Sequence, residues 1–385
     1  MSIWNGLRYL RERLSPRRPL VEVGISRANL LHNLRTYQER YQHVRIAPVL
    51  KSNAYGHDMG LVARLLDKED VAFFMVDSLY EARRLRRAGV KTRIVVMGYV
   101  RPIDPELSTL ADIDFAITDV EQLREIAALL TRPVRFHLKV DTGMHRQGIM
   151  PRDLPEALAL VKSNPRVQVV GVCSHLADAD GEGDGFSETQ VETWLAALTE
   201  VEKIIPVIEY RHLVATKGVR FAERARTNVA RVGIGLYGFD TSRHDGTAVR
   251  PVLELRSFIT SLRDIPDGDH VGYNAVFHAT RASRIATVPV GYFEGYDRRL
   301  SSKGSMLVRG VPCPVAGRIS MNMSSLDVTD CPSAKRGDPV TVISRDPAAS
   351  NSIERIRDAV SNVGYTESEY ALLVHIPPHL RRVVE

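Results

Sequence analysis

The sequence predicts an α/β protein in which a (β/α)8 barrel of the TIM type is followed by a mainly antiparallel β domain. The chain has 385 residues, more than a single hydrophobic core usually organises. Short apolar runs alternate with helix patterns through the first two-thirds of the chain, as in βαβ units. Beyond about Thr241, short strand patterns separated by turn residues predominate.

The predicted barrel strands are short segments that are apolar at most positions, as expected for parallel strands buried on both faces. They lie at 44–50, 71–76, 93–97, 115–117, 134–140, 167–174, 210–214 and 232–236. Helix signals separate them: Ser78 and Glu81 form a capping-box pattern that Gly89 ends, and further helices are predicted after 118–121 and over 189–204. An open doubly wound sheet is the competing architecture.

The predicted domain boundaries are 26–245 for the cofactor-binding barrel and 246–385 for the β domain. Strands of the second domain are predicted at 252–260, 284–289, 305–308, 314–318 and 339–343, with one helix at about 352–363. The apolar segment 21–25 does not fit the barrel pattern. We therefore expect residues 1–25 to pack on the β domain.

Composition excludes several classes of function. The net charge of +6 comes from interspersed charges of both signs, which disfavours nucleic-acid binding and leaves anionic small molecules as ligands. The three cysteines, Cys173, Cys313 and Cys331, form no CxxC pair, so neither a disulfide framework nor a metal site is expected. No signal peptide or membrane-spanning run is evident, which predicts a cytoplasmic protein.

Candidate catalytic residues lie where the predicted strands end, since barrel active sites form at the carboxyl ends of strands. Lys51 ends the first strand, and a desolvated lysine amine there can form a Schiff base. Arg146 lies in a glycine-flanked loop after the fifth strand and can clamp a carboxylate. His175 ends the sixth strand. Each of the three, taken alone, also fits an ordinary structural or solvent-exposed residue.

A glycine-rich run, 231–238, lies at the predicted eighth strand, where barrels commonly bind phosphate. Its GxGxxG spacing is weak support for a dinucleotide site, because the glycines are predicted to lie within a strand and to open no helix. In the β domain, Tyr273 and Tyr370 are further candidates. Their alternative interpretation is a β-domain core with the hydroxyl at the surface.

Together these runs resemble the alanine racemases, fold-type III pyridoxal-phosphate enzymes that combine a barrel with a β domain. The resemblance extends from about Val21 to Val384. Its most specific parts are Val-Leu-Lys-Ser-Asn-Ala-Tyr-Gly-His at 49–57, Asp-Thr-Gly-Met-x-Arg-x-Gly-Ile at 141–149, Val-Gly-Tyr at 271–273, and 317–323 followed by 327–330.

The resemblance implies an isomerase that interconverts L-alanine and D-alanine, supplies a peptidoglycan precursor, and uses pyridoxal 5'-phosphate as cofactor. Lys51 would bind the cofactor and act as one base, and Tyr273 of the partner subunit of a homodimer would be the other. Arg146 and the backbone N–H of Met321 would bind the substrate carboxylate. The remaining cofactor contacts implied by the resemblance are Tyr55, His175, Thr216, Arg231, Gly233, Ile234 and Tyr370.

Racemisation explains these residue types, because a proton leaves one face of Cα and returns to the other. Free lysine and tyrosine have pKa values of about 10, so both must be lowered for work near neutral pH. Cations near Tyr273 would favour its anion, and desolvation would favour the neutral amine of Lys51. Arg231 at the pyridine nitrogen would keep that nitrogen unprotonated and suppress transamination and decarboxylation.

The chain departs from the family pattern at Ala215, Asn274 and Asn322, where asparagine, glycine and aspartate are usual. Lys139 occupies a position that is carbamylated in some members, which we state as a hypothesis. A racemase of serine, lysine or another amino acid is the nearest alternative function. A decarboxylase of basic amino acids would carry a cysteine motif, and a non-catalytic pyridoxal-phosphate carrier would lack the β domain.

Overall fold

A closed ring of parallel strands forms the first part of the molecule. The computed structural model describes residues 19–102, 112–179, 181, 183–239, 246–362 and 368–385. Strands are numbered along the chain from β1 (Glu22–Ile25), which precedes the ring. The ring consists of β2 (Arg45–Pro48), β3 (Phe74–Val76), β4 (Ile94–Val96), β5 (Ile113–Ile117), β6 (Val134–Lys139), β7 (Val167–Cys173), β8 (Tyr210–His212) and β9 (Val229–Val232).

Hydrogen bonding closes this ring. Strands β3 to β8 form one parallel sheet in sequence order, and β2 pairs with β9. Single parallel bridges complete the circuit, from Val49 to Met75 between β2 and β3, and from Ala215 to Arg231 between β8 and β9. The predicted (β/α)8 barrel is therefore confirmed, and the open-sheet alternative is wrong.

Helices alternate with the barrel strands, and several of them begin at side-chain caps. Ser26 accepts a hydrogen bond from Asn29 N–H at 3.2 Å, and Asp119 accepts one from Gln122 N–H at 2.8 Å. Phenylalanines on the outer strand faces are buried beneath these helices. The helices are α1 (Arg27–Arg40), α2 (Lys51–Tyr55), α3 (Met59–Leu66), α4 (Leu79–Arg87), α5 (Val120–Leu129), α6 (Leu154–Ser163) and α7 (Gly185–Ile204).

The eighth barrel strand differs from its prediction. The sequence predicted 232–236, but β9 ends at Val232 and a 3₁₀ turn, Ile234–Tyr237, follows Gly233. A Cβ on Gly235 would lie 2.1 Å from the hydroxyl of Tyr37, so the turn packs directly against α1. The glycines therefore follow the strand and open a helical turn, a geometry that favours anion binding more than the predicted one.

The second part of the molecule contains three antiparallel or mixed sheets. A six-stranded sheet has the order β16-β15-β18-β10-β1-β19, a second has the order β11-β14-β17, and β12 pairs with β13. The helices here are α8 (Ile353–Val360) and α9 (Glu369–Val374). The strands are β10 (Leu253–Phe258), β11 (Ser261–Ile265), β12 (His270–Val271), β13 (Phe277–His278), β14 (Ser283–Val288), β15 (Ser305–Val308), β16 (Val311–Pro314), β17 (Ser324–Asp327), β18 (Pro339–Ile343) and β19 (Arg381–Val384).

Both ends of the described chain lie in the six-stranded sheet. Strand β1 pairs with β10 antiparallel and with β19 parallel. The strand predicted at 314–318 is wrong: Gly310, with φ 85°, turns the chain earlier, and β16 ends at Pro314. Residues 1–18 of the N-terminal segment, 241–245 of the predicted polar linker and residue 363 of the predicted helix lie outside the described residues.

No helix in the described ranges combines the length and apolarity needed to cross a membrane. Cys173, Cys313 and Cys331 are buried free thiols.

Candidate active site

Lys51 begins a left-handed turn at the carboxyl end of β2. The next four residues, Ser52 to Tyr55, have φ between 52° and 55°, although none is glycine. Such backbone costs roughly 1–2 kcal/mol per residue and is found where tertiary contacts enforce it. Here Glu81 enforces it, because its carboxylate accepts from Ser52 N–H at 2.7 Å and from Asp77 N–H at 2.8 Å. Glu81 thus acts beyond its predicted capping box.

His57 supports the same turn from inside. Its Nδ1 is 3.0 Å from the carbonyl oxygens of both Ala54 and Tyr55, and its ring lies 4.5 Å from that of Tyr237. Because carbonyls only accept, Nδ1 carries the proton. Burial lowers the pKa of His57 to about 4, with the charge of Arg382 acting in the same direction. The ring is therefore neutral at ordinary pH.

This histidine predicts a pH dependence of stability. In the unfolded chain it protonates below about pH 6.5, whereas the folded protein resists protonation until about pH 4, so stability falls as pH drops through that window. Between about pH 7 and pH 5, the free energy of unfolding in urea should decrease by about 2 kcal/mol less in His57→Gln than in the native protein. The exposed His43→Gln is the control, and equal curves for both variants would contradict the assignment.

Hydroxyl and N–H groups converge beside the turn after β9. Gly233 N–H donates to Thr216 Oγ1 at 3.0 Å, and a Cβ on Gly233 would lie 2.6 Å from the Tyr55 hydroxyl. The Tyr55 and Tyr370 rings meet edge to face at 6.5 Å. Burial raises the pKa of Tyr55 to about 12, with Tyr370 adding to it, so this hydroxyl stays protonated and can donate. The cluster suits a phosphate, which accepts hydrogen bonds.

Gly233→Ala tests this cluster. The added methyl must displace the Tyr55 hydroxyl, so we expect roughly tenfold weaker binding of pyridoxal phosphate, about the effect of one lost hydrogen bond to a charged group. Equilibrium titration of the apoprotein measures it. Gly185→Ala is the control, since a Cβ there meets no atom within 4 Å and the residue has no positive φ. Unchanged affinity in Gly233→Ala would remove this cluster from the phosphate site.

Arg231 crosses the barrel mouth from β9 and is buried. Its Nη1 bonds the carbonyl and Nδ1 of His212, and its Nη2 lies 2.7 Å from the Ser174 carbonyl, 3.0 Å from the Leu213 carbonyl and 3.0 Å from His175 Nδ1. Among the described residues these bonds occupy both terminal nitrogens. Nε–H is the donor that remains for a ligand. Burial lowers the pKa of Arg231 to about 10, so it stays charged.

His175 is neutral beside this cation. Burial lowers its pKa to about 3, and the charges of Arg231 and Arg146 act in the same direction. Because Nδ1 accepts from Arg231, the ring proton is on Nε2. His175 therefore presents an N–H donor to whatever lies beyond it.

Lys139 ends β6 and Arg146 lies in the loop that follows, close enough to His175 for their charges to lower its pKa. The Lys139 amine is buried and donates to Gln147 Oε1 at 3.1 Å. Burial lowers its pKa, Arg146 and Arg231 add to this, and Cys173 and Asp141 oppose it. Arg146 is exposed at the end of β6, in a loop whose backbone N–H groups bond Asp141.

Tyr273 and Met321 lie on the β domain, away from the barrel cluster. Their exposures are 65% and 55%, and within the described ranges neither forms a hydrogen bond to a barrel residue. Asn274 has φ 62°, a conformation that asparagine tolerates, which explains how it replaces the family's glycine. The structure therefore brings nine of the eleven predicted residues to one mouth, where Lys51, Arg146 and Tyr370 are exposed as well, and within the described ranges it gives Tyr273 and Met321 no hydrogen bond to that mouth (the nine are Lys51, Tyr55, Arg146, His175, Thr216, Arg231, Gly233, Ile234 and Tyr370).

Around Tyr273 and Met321 lies an exposed surface that we call the apolar patch. It consists of Tyr273, Val276, Tyr292, Phe293, Met321 and Met323. A hydrogen bond beneath the patch fixes the residue between the two methionines: Asn322 Nδ2 donates to the buried Glu294 at 2.8 Å. An aspartate at 322 would oppose two carboxylates here, which explains this departure from the family pattern.

The sequence analysis did not single out His57 or the hydrogen bond from Ser52 N–H to Glu81. It also did not predict the polar barrel interior formed by Asp114, His137 and His212. The sequence signal for the interior was present in β6, where Arg135, His137 and Lys139 alternate with Phe136 and Leu138. In an ordinary sheet that polar face points to solvent, whereas in a closed barrel it points inward.

The family models and the similar proteins described here are all named alanine racemase. The family model for the alanine racemase N-terminal domain matches residues 25–241, and that for the C-terminal domain matches 252–384. An alanine racemase of Syntrophobacter fumaroxidans is 35% identical over 355 residues, covering 89% of this chain and 93% of the relative. One of Sorangium cellulosum is 34% identical over 329 residues, covering 83% and 87%.

Solved structures agree with these sequence matches. Alanine racemase from Streptomyces lavendulae has a TM-score of 0.86 at 28% identity, covering 96% of this chain and 98% of that one. Alanine racemase from Bacillus anthracis, solved with bound L-Ala-P, has a TM-score of 0.85 at 26% identity, covering 96% of each chain.

Proposed function

The chain belongs to the alanine racemase family, and we propose that it is a pyridoxal-phosphate-dependent isomerase that interconverts L-alanine and D-alanine. The observation that carries this proposal is the position of Lys51. Lys51 follows β2 at the barrel mouth, where it begins the left-handed turn that contains Tyr55, and its charge contributes to the lowered pKa of His175.

The residues of the mouth fit the cofactor. Tyr55, Thr216 and Tyr370 would supply hydroxyls for its phosphate, and the turn after β9 would supply the backbone N–H of Ile234. The N–H of Gly233, which donates to Thr216 Oγ1 in this structure, would have to leave that oxygen to bind the phosphate as well. Arg231 Nε–H would face the pyridine nitrogen. Pyridoxal phosphate would be attached to Lys51 in the resting enzyme and to the substrate amine during the reaction, where it would supply the electron withdrawal that makes the Cα proton removable and leave the Lys51 amine free.

Two bases then move the proton. The Lys51 amine would take or return it on one face of Cα, and the hydroxyl of Tyr273 of the partner subunit would do so on the other. His175, neutral and protonated on Nε2, would donate to the Tyr273 oxygen and favour its anion, with the charge of Arg231 behind it. Each base ends a turnover in the protonation state opposite to the one in which it began.

A homodimer would unite these groups. Tyr273 and Met321 share the apolar patch, and contiguous exposed apolar surface of this kind commonly marks an interface. We propose that this patch covers the barrel mouth of the partner subunit. Arg146 of one subunit and the Met321 N–H of the other would then bind the substrate carboxylate together.

Carbamylation of Lys139 is proposed from its surroundings. A buried amine with a lowered pKa, on which the charges of Arg146 and Arg231 act, is nucleophilic towards CO2. Addition of CO2 with release of a proton would place one negative charge beside these two cations. Native mass spectrometry should show one added carboxyl group per chain, lost in Lys139→Gln. An unmodified Lys139 in freshly isolated protein would contradict the proposal.

A racemisation assay on a panel of amino acids tests the function. We expect conversion of both alanine enantiomers, with slower or absent reaction of serine and lysine. Faster racemisation of another amino acid would transfer the assignment to that substrate. Bound cofactor without racemisation of any amino acid would favour the carrier alternative.

A further inference from the structure

A chain of polar side chains crosses the interior of the barrel to the cofactor arginine. Asp114 on β5, His137 on β6 and His212 on β8 are all fully buried. His137 Nε2 lies 3.4 Å from Asp114 Oδ2, and His137 Nδ1 lies 2.7 Å from His212 Nε2. His212 Nδ1 then lies 3.1 Å from Arg231 Nη1. We call this hydrogen-bonded series, from Asp114 through His137 and His212 to the Arg231 guanidinium in the barrel mouth, the relay.

The direction of every hydrogen bond in this relay follows from donor and acceptor chemistry. Arginine only donates, so His212 Nδ1 must accept and the proton of this neutral ring is on Nε2. His212 Nε2–H therefore donates to His137 Nδ1, and His137 Nε2–H donates to the Asp114 carboxylate. A proton on His137 Nδ1 would leave His212 with no ring proton, so the opposite order is excluded.

The far end of the relay is a carboxylate held in its charged form. Asp114 lies 2.8 Å from Arg93 Nη1 and 3.1 Å from Arg135 Nε. Burial alone would raise the pKa of Asp114, but hydrogen bonding to His137 and the charge of Arg93 outweigh it, and the pKa lies below its usual value. A permanent acceptor thus terminates the relay.

The residues packed around the His137 ring restrict it to one orientation. It stacks on Tyr210 at 5.4 Å between ring centres, with planes 11° apart, and Phe73 meets its edge. A Cβ on Gly171 would lie 2.3 Å from His137 Nδ1, so the glycine of β7 makes room for the ring. The His137 acceptor is therefore fixed in direction as well as in protonation.

We propose that Asp114 and His137 are positioning residues that lock His212 as its Nε2–H tautomer and so fix the Arg231 guanidinium at the cofactor ring. This inference rests on the proposed function for its consequence, since Arg231 would control the pyridine nitrogen. The relay itself does not depend on the proposed function, because its hydrogen bonds form between residues of the protein alone.

Histidine tautomers can be measured without turnover, by ¹⁵N NMR of histidine-labelled apoprotein. We expect His212 to show protonated Nε2 and unprotonated Nδ1. His137→Phe removes the acceptor of a buried N–H, so both signals should move towards the average of two tautomers. His137→Gln, whose amide can accept from His212 and donate to Asp114, should restore the native signals. Phe115→Leu, the outward neighbour of Asp114 on β5, is the control for destabilisation.

A second readout reports on the cofactor ring. Per racemisation event, His137→Phe should form roughly tenfold more pyridoxamine phosphate, the transamination by-product, matching the loss of one buried hydrogen bond. His137→Gln should return the ratio to its native value, and Phe115→Leu should leave it unchanged.

Unchanged His212 signals in His137→Phe, or an equal change in Phe115→Leu, would overturn the positioning role. If native protein shows the expected tautomer and racemises no amino acid, the proposed function fails while the relay stands.

Discussion

Lys51→Ala should abolish racemisation, with a loss of about 10⁴-fold or more, because in the proposed mechanism one side chain would supply both the attachment of the cofactor and one of the two bases. The purified variant should also lack the visible absorbance of lysine-bound cofactor. Reduction with borohydride followed by mass spectrometry of peptides should place pyridoxal phosphate on Lys51 in the native protein and on no peptide of the variant.

Two further variants make this result specific. Lys203→Ala changes an exposed lysine that pairs with Glu200, and it should retain both absorbance and activity. Lys51→Arg keeps the positive charge on the left-handed turn but cannot form the covalent link, so it should resemble Lys51→Ala. Full activity in Lys51→Arg would contradict the role of Lys51 as cofactor ligand and base.

The run at Lys51 shows what a sequence can specify. Its letters identified the family, and its position after an apolar strand identified the barrel mouth. The left-handed turn could not be predicted, because left-handed backbone is normally inferred from glycine and these residues are Ser52 to Tyr55. Glu81, 29 residues away in the chain, enforces the turn through a tertiary contact that no local pattern reveals, and His57 supports it through its bonds to the Ala54 and Tyr55 carbonyls.

The barrel interior shows a second limit. Alternation in β6 was visible in the sequence, but which face is inside depends on closure of the ring, and closure depends on pairing between β2 and β9, far apart in the chain. The polar face of β6 therefore turned out to be the interior one. The strand predicted at 232–236 was wrong for a related reason. The turn after Val232 packs Gly235 against Tyr37, a contact between residues far apart in the chain.

Tyr273→Phe is expected to separate the two directions of proton transfer. The variant keeps Lys51 and the cofactor cluster, so its absorbance should be native. Loss of one general base should slow solvent-deuterium exchange of one alanine enantiomer by about 10²–10⁴-fold and leave exchange of the other much less affected. Proton NMR of each enantiomer in D₂O measures both rates. Equal, small effects on the two enantiomers would contradict the assigned role.

Mixing the two inactive variants tests whether the site is shared between subunits. A heterodimer of Lys51→Ala and Tyr273→Phe subunits contains one site with both changes and one site with neither, if Tyr273 serves the partner's barrel. Random exchange makes half of the dimers mixed, so about one quarter of native activity should return. If each barrel used its own Tyr273, every site would carry one change and mixing would restore nothing. Because Tyr273 is 65% exposed and forms no hydrogen bond to a barrel residue within the described ranges, we expect recovery.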